Sequence, residues 1–126
     1  MTHLFYVAAG GAIGASLRHL FGMVSMRLFG TGFPYGTLGV NIAGSFLMGT
    51  LIAWLAFRSE GAGQGLRLFL ATGVLGGFTT FSAFSLETIL LWERGETGLA
   101  AFYVLVSVVL SIAALSGGLA LVRSLS

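Results

Sequence analysis

Polar side chains are scarce in this chain, so the few that fall inside its apolar runs mark the places where chemistry can be done. Asn41 sits in "GTLGVNIAGSFLMG". A buried carboxamide must find partners, either across to another helix or toward a ligand or pore. Tyr103, Ser107 and Ser111 recur at a spacing of four, which stacks three hydroxyls on one helix face. That stripe reads either as close helix packing, which small residues at this spacing favour, or as a track of hydroxyls for a polar solute. Glu87 is an acidic residue within an apolar run; it is a functional candidate, or else it caps a polar network or reaches the interface. Arg18, near the mouth of the first run, either raises the local anion concentration or snorkels to headgroups.

The densest stretch is "GVLGGFTTFSAFSLET", residues 73–88. Gly76 and Gly77 each lower helix propensity by about 1 kcal/mol relative to alanine, and the β-branched Thr79 and Thr80 do little to restore it. A break between Gly76 and Thr79 frees main-chain carbonyls at membrane depth, where protein, water or an ion must satisfy them. The break is therefore either a cation site for an ion such as Na⁺, built without any carboxylate, or a glycine kink that fits a neighbouring helix. Phe81 and Phe84 follow, three apart on one face. Such rings ordinarily fill a core or face lipid, but their electropositive edges also stabilise a partly dehydrated anion without gripping it.

The elements that must position these groups follow from composition. Of 126 residues 56% are hydrophobic and 8% charged, against about 25% charged in a soluble domain. This is a membrane chain. The absence of cysteine excludes disulfides and thiol chemistry, and the distant His3 and His19 lack acidic neighbours that would complete a metal site. A net charge of +2 from six arginines and four glutamates, with no basic cluster, argues against nucleic acid as a partner. The N-terminal "MTHLFYVAAGGAIG" has no basic lead-in and is read as retained rather than cleaved.

A bilayer core of about 30 Å asks for about 20 apolar residues per helix. Four segments meet that, at about 4–22, 35–57, 66–92 and 98–122, giving an all-α, single four-span domain. The third would be roughly 40 Å long as one helix, so it is not expected to run straight. With four spans, Arg58, Arg67 and Arg123 share one side and Arg18, Arg27 and Arg94 the other. The positive-inside rule then has no bias to act on. Insertion both ways and an antiparallel homodimer are expected, unless assembly or local charge placement fixes one orientation. So small a chain encloses little by itself, which also points to oligomerisation.

The core Gly-Gly-x-Thr-Thr-Phe-Ser-x-Phe-Ser, with "GTLGVNIAGSFLMG" upstream and Tyr-xxx-Ser-xxx-Ser downstream, resembles the Fluc/CrcB family of small fluoride channels along essentially the whole chain. The resemblance implies passive fluoride export across the cell inner membrane, relieving toxicity, through an antiparallel dual-topology homodimer with two fluoride pathways. It implies a structural Na⁺ at the dimer centre, held by the backbone carbonyls of Gly76 and Thr79. It also implies a pathway along Asn41, Phe81, Phe84, Tyr103, Ser107, Ser111 and Glu87, with Arg18 at the vestibule. Ala83 stands where the family commonly has threonine. Two other readings compete. A small multidrug-type antiporter exchanges protons on a carboxylate within a span, for which Glu87 is the sole candidate. A membrane scaffold would use its glycines and serines for packing alone. No nucleophile, base and orienting group converge, so no enzyme chemistry is expected.

Overall fold

The computed structural model describes residues 2–30, 32–57 and 64–125; most of the polar link "RSEGAGQG", with Arg58, lies outside the described residues. The elements in chain order are α1 (Thr2–Phe29), α2 (Tyr35–Phe57), α3 (Gln64–Arg67), a π-helical stretch (Leu68–Leu75), α4 (Gly76–Phe78), α5 (Phe81–Glu93) and α6 (Thr97–Leu125). Four helical segments, Thr2–Phe29, Tyr35–Ala56, Gly65–Glu93 and Thr97–Leu125, are long and apolar enough to cross a bilayer. No strand occurs among the described residues. Among the described residues the chain adopts the expected all-α architecture, with four helices apolar enough to span a membrane.

α1 continues to Phe29 instead of stopping near residue 22, because neither Arg18 nor His19 interrupts a helix and Arg18 finds an internal partner. At the other hairpin, α5 stops in a glycine-dependent cap. Gly95 takes φ 86°, its N–H donates to the Trp92 carbonyl at 3.0 Å, and the Glu96 N–H reaches back to the Leu91 carbonyl at 3.0 Å. Only glycine adopts that left-handed turn without strain, and it reverses the chain into α6 within three residues.

Two kinds of contact hold the spans together. α1 lies along the π-helical stretch and α4 through glycines: Gly10 and Gly14 on one side face Gly73 and Gly77 on the other. A Cβ at Gly73 would stand 2.8 Å from the Gly10 Cα, and one at Gly77 would stand 2.8 Å from the Gly11 carbonyl oxygen. Backbone meets backbone, which is how helices associate where lipid removes the hydrophobic drive. α2 and α6 approach in the same way at Gly49 and Gly118. α5 and α6 instead meet through side chains, in a core of Phe84, Leu91, Ala100 and Tyr103 with Phe33, Leu38, Leu99 and Val104 packed against it.

The third span does break, but not at the paired glycines. Gly76 is helical, with φ −64° and ψ −36°. The winding is lost at Thr79 (φ −86°, ψ 158°) and Thr80 (φ −154°, ψ 120°). Gly77 is committed to close contact with α1, and the β-branched threonines suit an extended backbone. Gly44 of α2 leaves the room this needs, since a Cβ there would collide with the Thr79 methyl.

Candidate functional site

The site is organised around the break. The Thr80 N–H donates to Asn41 Oδ1 at 2.8 Å, and Asn41 Nδ2 donates to the Thr80 carbonyl at 3.1 Å. One carboxamide thus satisfies both main-chain groups of a residue that has left the helix. Of the two sequence readings of Asn41, the interhelical bond is the one observed, while its second N–H remains for the adjoining cavity. The helix restarts at Phe81 with Thr80 as its N-cap, the Thr80 hydroxyl accepting from the Ala83 N–H at 3.1 Å.

These substitutions decide which carbonyls are left over. In a continuous helix the Gly76 carbonyl would take the Thr80 N–H, and the Thr79 carbonyl the Ala83 N–H. The first donor goes to Asn41 and the second to the Thr80 hydroxyl. The Gly77 carbonyl lies between them in sequence and accepts from Arg18 Nε at 3.1 Å. The Leu75 carbonyl accepts twice from Thr79, from its N–H and its hydroxyl, each at 3.0 Å. The Gly76 and Thr79 oxygens are therefore among those that lose their helical donors, with the Gly77 oxygen, which Arg18 satisfies, and the Phe78 oxygen.

Beside the break lies a cavity of about 430 Å³, lined among others by Asn41, Ser45, Thr80, Phe81, Phe84, Ser107 and Ser111. The Phe81 and Phe84 ring centroids are 5.5 Å apart, tilted by 47°. Phe84 is 8% exposed and Phe81 is 77% exposed, so one ring belongs to the core and the other to an open wall. The Ser107 and Ser111 hydroxyls are buried and have no hydrogen-bond partner. An unsatisfied buried hydroxyl costs about 1–3 kcal/mol. These serines do not hold α6 to its neighbours by hydrogen bonds; Gly118 and Gly49 provide the close approach.

Tyr103 stands behind Phe84, with ring centroids 5.1 Å apart. It is fully buried, and its hydroxyl donates to Glu87 Oε1 at 3.1 Å. Glu87 in turn lines a second cavity of about 290 Å³ with Ser25, Thr37 and Arg94. Tyr103 lines neither hollow; it stands between Phe84 on the wall of the first and Glu87 on the wall of the second. Near this second cavity Arg94 pairs with Glu96 at 3.3 Å and donates to the Gly32 carbonyl at 3.2 Å, tying the two loops at that end.

Asn41, Phe81, Phe84, Ser107 and Ser111 are brought onto one cavity, with Thr79 on its rim. Gly76 lies in the last helical turn before the break. Arg18 stands in the middle part of α1, eleven residues before its end at Phe29, with its guanidinium against α4. Thr80, both clamp target and cap, escaped the sequence reading, although a threonine just before a resumed apolar helix is a recognisable N-cap signal. Ser25 and Thr37 had no such signal.

The family model described as CrcB-like protein, Camphor Resistance (CrcB), matches residues 5–119. A protein of Agrobacterium fabrum named Fluoride-specific ion channel FluC is 58% identical over 125 residues, covering 99% of each chain. One of the same name from Rhodopseudomonas palustris is 54% identical over 126 residues, covering 100% of each. Fluoride-specific ion channel FluC 2 of Nitrobacter hamburgensis is 57% identical over 120 residues, covering 95% of this chain and 96% of its own.

Proposed function

This chain belongs to the CrcB family, and from that premise we propose that it is a fluoride channel of the cell inner membrane that lets the ion leak outward and relieves fluoride toxicity. The observation that carries the reading is the pair of partnerless hydroxyls, Ser107 and Ser111, buried on a cavity that Phe81 and Phe84 also line. Fluoride is small and strongly hydrated, so a pore must replace its water with donors at close spacing. The two serine hydroxyls and the spare Asn41 N–H are such donors, and the electropositive ring edges supplement them. No lining group of this cavity is cationic, which keeps the ion from being held too tightly to leave. An inside-negative membrane potential drives an anion outward. Conduction of this kind needs no catalysis.

The antiporter reading loses ground on geometry. Its only carboxylate, Glu87, is bonded to Tyr103 and does not line the cavity beside the break.

The working unit is an antiparallel homodimer in a multi-pass membrane setting. Phe81 lines the cavity yet is 77% exposed in one chain, so a second copy supplies the missing wall. The even division of arginines permits opposite insertion of the two copies. The same pairing suits a Na⁺ ion at the centre. The Gly76 and Thr79 carbonyls are acceptor-only oxygens without helical donors, and among the described residues no group of three His, Asp or Glu offers another metal site. One chain brings two oxygens and its partner repeats them. The ion would supply positive charge that offsets the cost of an anion at low dielectric.

Purified protein in liposomes, read with a fluoride-selective electrode, tests the reading: fluoride efflux is expected, with chloride efflux far slower. Equal flux of the two anions, or none, rejects it. Two lysines added at one end should bias insertion and silence the channel, and an oppositely biased copy should restore it. Normal conduction by one forced orientation rules out the antiparallel pair.

A further inference from the structure

Arg18 is a charged side chain within a membrane span, where an ionisable group is costly and calls for a reason. It is half-buried, and no carboxylate among the described residues pairs with it. Its one hydrogen bond goes to the Gly77 carbonyl. That carbonyl belongs to the last turn before the break, the negative end of a helix, where a cation is favoured. The glycine contacts make the reach possible: Gly11, Gly14 and Ala15 lie directly against Gly77 and Phe78, and Arg18 is one turn further along the same face of α1.

We propose that Arg18 is a positioning residue for the cation held by Gly76 and Thr79: it takes the Gly77 oxygen out of the ligand set and restricts the site to a monovalent ion. The inference rests on the Na⁺ reading given above. Three neighbouring carbonyls at a negative helix end form an oxygen-rich site of the kind that suits Ca²⁺, which takes more oxygen ligands and repays its dehydration with twice the charge. Arg18 removes one oxygen and adds a positive charge that no accessible pH removes. Repulsion from that fixed charge is twice as large for a divalent ion as for a monovalent one. Na⁺ is admitted at some cost in affinity, and Ca²⁺ is excluded.

The thermal unfolding midpoint of the purified protein, titrated with NaCl or CaCl₂ against choline chloride at matched ionic strength, reads the site without measuring flux. The wild type is expected to be stabilised by Na⁺ and not by Ca²⁺. Arg18→Gln, which loses the charge, should reach half-saturation at roughly tenfold lower Na⁺ and should gain stabilisation by Ca²⁺. Arg18→Lys, which keeps the charge, should preserve the discrimination with a lower midpoint. Unchanged ion dependence in Arg18→Gln overturns the proposal. Should that variant fail to fold, stabilisation of Arg18→Lys by Ca²⁺ overturns it equally. A wild type indifferent to Na⁺ removes the cation site and this proposal with it, whereas loss of Arg18's selectivity role alone leaves Na⁺ stabilisation of the wild type intact.

Discussion

The two halves of the third span are built on opposite plans. The half before the break, Leu68 to Phe78, is positioned by side chains it lacks: Gly73 and Gly77 bring its backbone against Gly10, Gly11 and Gly14 of α1. The half after it, Phe81–Glu93, is positioned by side chains it has, with Phe84 and Leu91 packed into the α6 core around Tyr103. In lipid, close backbone contact fixes a helix rigidly but leaves little side-chain chemistry on the contacting face. Aromatic and hydroxyl packing does the reverse. The break falls where one plan gives way to the other, so the main-chain oxygens of the first half are presented beside the side chains of the second.

Gly14→Ala strikes the first plan directly, since the new Cβ would run into the Val74 carbonyl and stand 2.8 Å from the Phe78 nitrogen. A loss of about 3 kcal/mol or more is expected in thermal unfolding. Gly11→Ala, inside α1 with a Cβ that meets nothing within 4 Å, should be neutral or stabilising by up to about 1 kcal/mol. Equal behaviour of the two variants would break the comparison. Asn41→Ala attacks the junction, orphaning the Thr80 N–H and carbonyl; about 1–3 kcal/mol of stability should go, and fluoride flux with it. Retained flux would mean that the break is held by something other than the carboxamide.

On the second plan, Phe81→Ile and Phe84→Ile should each cut flux on the order of tenfold through loss of the ring edge. The Phe84 change, which reaches the buried core around Tyr103, should also lower the melting temperature by the equivalent of about 1 kcal/mol. Flux unchanged in both would remove the rings from the pathway. The smallest effect has the most telling sign. Ser107→Ala or Ser111→Ala should leave stability unchanged or raised, because an unsatisfied hydroxyl is removed, while flux falls several-fold. A lower melting temperature would show that these hydroxyls hold helices together after all.

Much of the site was readable before any coordinates. The Tyr103, Ser107 and Ser111 stripe and the Phe81 and Phe84 pair follow from spacing along one helix, which is a local property. The exact place of the break was less legible, for the same reason. Helix propensity places the break from Gly76 to Thr79, but it does not register that α1 packs against Gly77, and the winding is lost only at the threonine end of that stretch, at Thr79 and Thr80.

The sequence by itself determined four spans, a third too long to run straight, and a face of hydroxyls. Apolar length and periodicity are summed along the chain and need no partner. Tertiary structure alone decided what each polar group bonds. Asn41 meets Thr80 across 39 positions and Arg18 meets Gly77 across 59. Such pairings depend on which glycine faces bring two backbones together, and a polar group buried away from water takes whichever partner that packing delivers.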